Sequence, residues 1–232
     1  MSKKDDCFEN LRIRILGLEL RPGTELDEVR FCADYGLSRT PFREVLQRLA
    51  GEGFVSLEPN RGASVSAMTL DTMRRFFQTA PLVYATMARL AAEQGSHTQL
   101  SQLKTAQQTF VRAAGDGDAR ALAMSNHQFH EIIGKMAQNP YLQPSLNRLL
   151  IDHTRMSHRF YHVQTEIDQD RVRKASEQHD QMIIALQERR PEQAAQLTLD
   201  HWALSKHQIE KYVWPDPLPM TLTTPSNTGE NA

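Results

Sequence analysis

Several features are scarce in this 232-residue chain, and each scarcity excludes a class of protein. Its two cysteines, Cys7 and Cys32, are too few for the disulfide framework of a small secreted domain, which favours a reducing compartment. No apolar run approaches the roughly 20 residues that span a bilayer. The first ten residues, MSKKDDCFEN, lack the apolar core of a signal peptide. We therefore expect a cytoplasmic protein.

An excess of basic residues is also missing. The chain has 27 Lys and Arg against 28 Asp and Glu, so no overall positive field indicates a nucleic-acid partner. The first 68 residues are not basic overall either. If the protein binds nucleic acid, binding must depend on a few arginines placed together. The hydrophobic content of 40% is enough for one or two domains with their own cores.

The stretch from Leu37 to Ala63 carries the strongest local signal. Ser38 and Thr40 can each cap a helix with a hydroxyl, and Pro41 suits the first turn because no N–H is needed there. The apolar residues that follow share one helical face because they recur every three or four positions: Phe42, Val45, Leu46 and Leu49. The pattern predicts a helix with one packed face and one cationic face.

A hairpin is predicted directly after this helix, and two helices before it. Gly51 and Gly53 favour the end of the helix, and residues 54–58 and 63–66 are typical of two short strands around a tight turn. Residues 8–18 and 26–35 have helical patterns. The order helix, helix, turn, helix, hairpin is that of a winged helix-turn-helix, which presents its third helix to the major groove of DNA.

Four segments of this region closely resemble the DNA-binding domain of GntR-family bacterial transcription regulators: RPGTEL (21–26), GLSRTPFREVL (36–46), GEGFV (51–55) and NRGASV (60–65). The resemblance covers most of residues 1–68 and implies a set of DNA contacts: Ser38, Arg39, Thr40, Arg43, Arg48, Arg61 and Gly62. The alternative is that serine and arginine at a helix start only cap and solvate the helix.

Residues 69–214 are predicted to be helical throughout. Glycine, proline and polar breaks separate six helices at about 70–94, 98–114, 117–138, 140–162, 168–189 and 191–213. Residues 215–232 have no apolar stripe, so we expect a disordered tail. The predicted fold class is therefore mostly α: a winged helix-turn-helix with a small β-hairpin wing, followed by an all-α helical bundle.

Metal-binding residue types recur in three of these helices. Asn126 and His130 are four residues apart and share a face, and His179 and His201 lie on the fifth and sixth helices. Neutral imidazoles that converge inside a bundle suit zinc, nickel or manganese. Because the chain has nine histidines, the spacing alone favours ordinary packed or surface histidines.

A second resemblance covers the helical region. The segments NHQFHEII (126–133), NPYL (139–142), EQHDQMIIAL (177–186) and DH (200–201) are similar to the FCD effector-binding domain. That resemblance implies a metal held by one aspartate and three histidines, with Asn126 at the aspartate position and His130, His179 and His201 at the others. Six helices rather than seven resemble the shorter, VanR-like subgroup.

The expected effector contacts depart from the family pattern. Relatives carry arginine and glutamate in an R-x-x-x-E pattern where this chain has APLVY (80–84), and Pro81 there predicts a kink. Arg155 and Arg159, one turn apart, are candidates to replace that arginine, and Tyr84 is a candidate cavity residue. A solvated or salt-bridged face is the alternative for both arginines. We expect His153, His158 and His162 at the surface.

Together these patterns predict a homodimeric repressor that binds a pseudo-palindromic DNA operator and responds to a small molecule, possibly an organic acid, bound near a divalent metal. A metal-dependent phosphohydrolase of the HD type is the alternative, because His179 and Asp180 form an HD dipeptide. Against the hydrolase, adjacent residues of a helix point about a quarter-turn apart.

Overall fold

Three helices open the chain. A computed structural model describes residues 2–59 and 62–209, and for residues 205–209 it describes the backbone only. The three helices are α1 (Lys3–Leu16), α2 (Glu28–Tyr35) and α3 (Arg39–Glu52). The Asp27 side chain accepts the N–H groups of Val29 and Arg30 at the start of α2. Gly53 ends α3 at φ 90°, a left-handed conformation that glycine adopts without a Cβ clash.

A three-stranded antiparallel sheet completes this N-terminal unit. Its strands are β1 (Glu25–Leu26), β2 (Val55–Glu58) and β3 (Gly62–Val65), in the order β1-β3-β2. The predicted hairpin is therefore present, but the prediction that Leu26 starts a helix is wrong. Leu26 pairs with Ala63, because the edge of β3 offers hydrogen bonds to the backbone around Thr24 that local propensity could not reveal.

Six helices follow the sheet: α4 (Leu70–Gln94), α5 (His97–Asp116), α6 (Ala119–Met136), α7 (Gln143–Phe160), α8 (Glu166–Gln187) and α9 (Pro191–Ile209). The six predicted helices are thus present, with ends that differ by a few residues. α4 runs as one helix through the buried Pro81, so the proline does not end it. The predicted tail at 215–232 lies outside the described residues.

The helices pack around one apolar core. α4 contacts α9 most extensively, α5 packs on α6 and α8, and α6 packs on α7. Fully buried side chains fill the centre of the bundle: Phe77, Met87, Leu103 and Phe129. In the ranges that the structure describes, no helix is both long and apolar enough to cross a membrane.

Helix α7 belongs to both parts of the molecule. Ile151 packs into the apolar core of the N-terminal unit, and the Arg155 guanidinium donates to the carbonyl of Ser66, just after β3, at 2.8 Å. The His158 side chain bonds the carbonyl of Leu16, also at 2.8 Å. These side chains are three to four residues apart along α7, so one face of the helix supports the N-terminal unit.

Candidate metal centre and DNA-binding surface

Three histidines from separate helices converge inside the bundle. His130 lies on α6, His179 on α8 and His201 on α9, and one ring nitrogen of each lies within 4.8 Å of the others. All three side chains are buried. Such a spacing lets one ion contact three imidazole nitrogens, so the residues predicted from the sequence do come together.

Two glutamines set the protonation of two of these rings. Nδ1–H of His179 donates to Oε1 of Gln107 at 3.0 Å, and Nδ1–H of His201 donates to Oε1 of Gln178 at 3.1 Å. An amide oxygen only accepts, so each Nδ1 carries the proton and each Nε2 keeps its lone pair. This is the arrangement by which outer groups orient metal-ligating histidines.

Several buried polar atoms of α6 and α8 have no protein partner in the part of the chain that the structure describes. Nε2 of His130, Nε2 of His179 and both amide atoms of Asn126 are buried and make no hydrogen bond among the described residues. Buried polar atoms are nearly always paired, so the two unpaired imidazole nitrogens fit a site for a metal. The unpaired amide of Asn126 lies one helical turn before His130 on α6, on the same side of the helix. The donor set of three imidazoles and an amide oxygen fits a borderline divalent metal.

Burial keeps these imidazoles neutral. It lowers the pKa values of His130 and His179 well below 6.5 and that of His201 to about 4, because the charged ring loses its solvation. Neighbouring histidines lower the pKa of His130 and His179 further. The neutral ring is the form that ligates a metal, so the site is prepared to bind a cation at neutral pH.

The sequence analysis missed Gln107, although a signal was present. Gln107 lies among the apolar residues Leu100, Leu103 and Phe110, which form the packed stripe of α5. Its amide also donates to the carbonyl of Ser176 at 3.0 Å. A glutamine within an apolar stripe indicates a buried polar partner. Gln178 gives no comparable signal.

A cavity of about 370 Å³ adjoins the histidine cluster. His201 and His153 lie on its wall, and most of the remaining wall is apolar: Met73, Phe77, Met156, Phe160, Tyr161 and Trp202. Met68 and Leu70, around the start of α4, also line it. Its volume and lining are those of a small-molecule site with few polar groups.

Two expectations about α7 are wrong. His153 and His158 are not surface residues, because α7 is covered by the bundle on one side and by the N-terminal unit on another. Nδ1 of His153 lies 3.0 Å from the hydroxyl of Tyr84, which is itself buried with its ring against His130. Tyr84 thus contacts the wall of the cavity from behind. His162 is exposed.

The two candidate effector arginines occupy different environments. Arg155 lines the cavity, but its guanidinium is fully buried and is bonded to Asp152 and to the carbonyl of Ser66. Arg159 also lines the cavity and is exposed. The guanidinium of Arg155 is therefore already bonded to partners within the protein.

The recognition-helix residues implied by the GntR resemblance share an exposed face. Arg39 and Arg43 lie one turn apart on α3, with side chains 69% and 64% exposed. Thr40 is exposed, and Ser38 occupies the N-cap position without a capping bond from its hydroxyl. Both arginines contact Glu28 of α2.

The remaining DNA-contact candidates are less uniform. The Arg48 guanidinium lies 3.7 Å from the centre of the Phe8 ring and pairs with Asp5, so it links α3 to α1. Gly62 is exposed at the start of β3 with φ 80°. Arg61 lies outside the described residues.

The HD dipeptide does not form a metal-ligand pair. Asp180 is exposed and accepts a hydrogen bond from Nε2 of Gln107 at 3.1 Å, outside the group formed by His130, His179 and His201. The carboxylate that hydrolases of this type require is therefore turned away from the histidines.

Comparison with protein families matches both units of the chain. Residues 3–65 match the family described as bacterial regulatory proteins, gntR family, and residues 82–204 match the FCD domain. The second match covers more than half of the chain.

Two characterised relatives extend over most of the chain. The Nta operon transcriptional regulator of Aminobacter aminovorans is 25% identical over 190 residues, which are 81% of this chain and 84% of that protein. The galactonate operon transcriptional repressor of Escherichia coli (strain K12) is 23% identical over an alignment of 237 positions, gaps included. The alignment covers 91% of this chain and 98% of that protein.

Solved structures have the same fold. E. coli McbR/YncC superposes with a TM-score of 0.73 at 19% identity, covering 91% of this chain and 97% of that one. A transcriptional regulator from Rhodococcus sp. RHA1 gives 0.68 at 20% identity, covering 91% and 99%. The matched gntR family and the two relatives are described as transcription regulators and not as enzymes, which contradicts the phosphohydrolase alternative.

Proposed function

The chain belongs to the GntR family of bacterial regulatory proteins and has an FCD domain, and we propose from this that it is a homodimeric repressor of transcription. It binds a pseudo-palindromic operator, and a small molecule bound in the cavity near a metal changes its affinity for that operator. The galactonate operon repressor is named as a repressor, which supports this sign of regulation.

The proposed DNA contacts lie at the start of α3. Arg39 and Arg43 reach guanine edges or phosphates of the major groove, and the hydroxyls of Ser38 and Thr40 donate to the backbone. The free hydroxyl of Ser38 and the first-turn N–H groups of α3 favour a phosphate there. Arg48, Arg61 and Gly62 complete the proposed surface from α3 and the wing.

The proposed operator is two-fold because the protein is proposed to be a dimer. Each subunit places one α3 in one half-site, and the half-sites lie about one helical turn of DNA apart or a multiple of it.

The proposed metal ligands are His130, His179 and His201, with the amide oxygen of Asn126 as a fourth. A divalent metal, which we propose is zinc, nickel or manganese, would supply a Lewis-acidic point to which an oxygen of the effector can bind. Gln107 and Gln178 hold two of the imidazoles in the ligating tautomer. The amide oxygen of Asn126 has no negative charge, so we expect weaker metal binding than with a carboxylate.

The proposed effector has an apolar body and one polar end. Phe77, Met156 and Trp202 favour the apolar part, and His153 and His201 lie where the polar end would bind. An organic acid fits if its carboxylate faces the histidines. Arg159 is the further proposed contact. Tyr84 lies behind the wall and holds His153 rather than the effector, and Arg155 acts on the N-terminal unit.

Helix α7 is the observation that carries the regulatory part of the proposal. One face lines the cavity through His153 and Met156, and another holds the N-terminal unit through Ile151 and Arg155. Ser66, which accepts the Arg155 bond, also donates its hydroxyl to the carbonyl of Gly53 at the end of α3. A ligand that favours one position of α7 therefore favours one placement of the recognition helix.

An operator titration tests the proposal. A duplex selected by the protein from a randomised library is titrated by fluorescence anisotropy, with EDTA or with zinc, nickel or manganese, and with a panel of small organic acids that includes galactonate. We expect one metal and acid together to change operator affinity by about 5- to 150-fold, the usual range of allosteric coupling.

Two results would contradict the proposal at different points. Failure to select any DNA motif contradicts the operator-binding function. Selection of a motif whose affinity stays constant under every metal and acid contradicts the switch but not the DNA binding.

A further inference from the structure

A carboxylate of the neighbouring helix α2 lies behind the two exposed arginines of α3. Glu28, in the first turn of α2, has Oε2 at 3.1 Å from Nε of Arg43 and Oε1 at 3.8 Å from Nε of Arg39. Its side chain is 27% exposed, while those of the two arginines are 69% and 64% exposed. One acid thus lies behind both candidate DNA-reading arginines.

The geometry of these contacts leaves the outer ends of the arginines available. Nε–H of Arg43 donates to Oε2 of Glu28. Nε of Arg39 is paired with Oε1 by charge at 3.8 Å, and Oε1 accepts no hydrogen bond from the described residues. A guanine presents O6 and N7 to two N–H groups of one guanidinium, a pairing that requires a fixed plane. The hydrogen bond to Nε sets that plane for Arg43 before DNA arrives, which lowers the entropy lost on binding.

The same carboxylate opposes indiscriminate binding. Non-specific affinity for DNA arises mainly from cations that neutralise phosphates. Glu28 compensates part of the charge of Arg39 and Arg43, so these arginines attract an arbitrary phosphate backbone less strongly. Base contacts with the correct geometry are affected less, because they depend on orientation as well as on charge.

We propose that Glu28 is a positioning residue that determines sequence specificity. It holds Arg43 in the base-reading orientation, and its charge weakens the non-specific attraction of Arg39 and Arg43 to phosphates. This rests on the proposed DNA contacts of the two arginines. Glu28 itself need not contact a base.

The test compares Glu28→Gln with Glu44→Gln. Both variants lose one carboxylate charge at nearly constant volume, but Glu44 pairs with Lys4 of α1 at 2.7 Å rather than with either recognition arginine. Each protein is titrated by anisotropy with the duplex that the wild type selects from a randomised library and with a scrambled duplex of the same composition, across a salt series.

We expect Glu28→Gln to bind the scrambled duplex more tightly, with a salt slope steeper by about one unit. The ratio of selected to scrambled affinity should fall by about tenfold, the scale of one well-oriented arginine–guanine contact. Glu44→Gln should keep the wild-type ratio. Thermal midpoints equal to that of the wild type show that the variants are folded. If Glu28→Gln is not folded, Glu28→Asp replaces it, because aspartate keeps the charge but has a shorter side chain. The ratio of selected to scrambled affinity should also fall in Glu28→Asp.

A ratio within twofold of wild type in the folded Glu28 variant would overturn the inference, as would an equal fall in Glu44→Gln. Arg43→Ala separates this from the proposed function. If Arg43→Ala loses the selected duplex while the Glu28 variant keeps its ratio, only the role of Glu28 fails. If Arg43→Ala binds unchanged, the proposed DNA surface fails and the role of Glu28 fails with it.

Discussion

Single side chains outside the ligand set decide whether the histidine cluster can bind a metal. The lone pair of His179 is directed by Gln107, whose amide is fixed in turn by Ser176 and Asp180. Without that acceptor, the ring can place its proton on Nε2, where a metal cannot bind. We therefore expect the glutamine to contribute to metal affinity without contacting the ion.

Gln107→Leu tests this contribution. We expect metal affinity to fall by about 10- to 100-fold, the usual effect of removing an outer hydrogen-bond partner of a ligand. Competition with a fluorescent chelator measures it. Gln108→Leu, at an exposed position of the same helix, is the matched control and should bind metal as the wild type does. Equal affinities in the two variants would show that Gln107 plays no such role.

For helices and strands, local sequence patterns predicted most of the fold but not the features that depend on contacts distant in sequence. Ser38 at the N-cap of α3, the terminal glycine Gly53 and the apolar stripes placed the helices well, because these signals act within a few residues. β1 was missed because its partner is β3, distant in sequence. His153 was wrongly expected at the surface, because a polar residue type does not reveal that its helix packs against neighbours on two sides.

The junction between α3 and α7 is a second element-scale feature. A Cβ at Gly53 would lie 2.3 Å from Cδ of Arg148 on α7, and the residue has φ 90°. Gly51, two residues earlier in α3, has open space around the same position. The two glycines therefore differ in both conformation and surroundings.

Gly53→Ala should destabilise the protein by about 1–2 kcal/mol from the left-handed backbone alone, with a further loss from displacing Arg148. Gly51→Ala should be neutral or stabilise it by up to about 1 kcal/mol, because alanine favours a helix interior. Urea unfolding of the two variants beside wild type measures both effects. A Gly53→Ala variant as stable as Gly51→Ala would contradict the left-handed conformation of Gly53.

For the whole molecule, the cluster of buried histidines makes stability depend on pH. Burial lowers the pKa values of His127 and His201 from 6.5 to about 4. The unfolded chain therefore binds protons at a higher pH than the folded protein does. The stabilising contribution of each histidine is fully present above about pH 6.5 and is lost as the pH falls towards 4.

We expect the free energy of unfolding of EDTA-treated protein to fall steadily from pH 7 to pH 5. The shift of His201 alone corresponds to about 3 kcal/mol across its full window. Urea titrations at several pH values measure the slope, which His97→Gln, at an exposed histidine, should leave unchanged. A flat profile would mean that the buried rings accept protons without cost.

Helix α7 joins the two units through the apolar packing of Ile151 and the polar contacts of Arg155 and His158. We expect the buried bond of Arg155 to be the contact that makes them unfold together. Arg155 and Asp152 form a buried ion pair on α7, and Arg155 also donates a hydrogen bond to the carbonyl of Ser66. Replacing only Arg155 would leave the carboxylate of Asp152 buried with one arginine fewer, which itself destabilises α7. The double variant Asp152→Asn with Arg155→Met removes the contact to Ser66 without that orphan charge.

In calorimetry we expect one transition for the wild type and two for the double variant, with the N-terminal unit melting first because it loses its attachment to α7. Metal affinity should stay at the wild-type value, since none of the four proposed ligands changes. Arg112→Met, at an exposed residue of α5, is the control and should keep a single transition. A double variant that still unfolds in one transition at the wild-type midpoint would show that Ile151 and His158 couple the two units without Arg155.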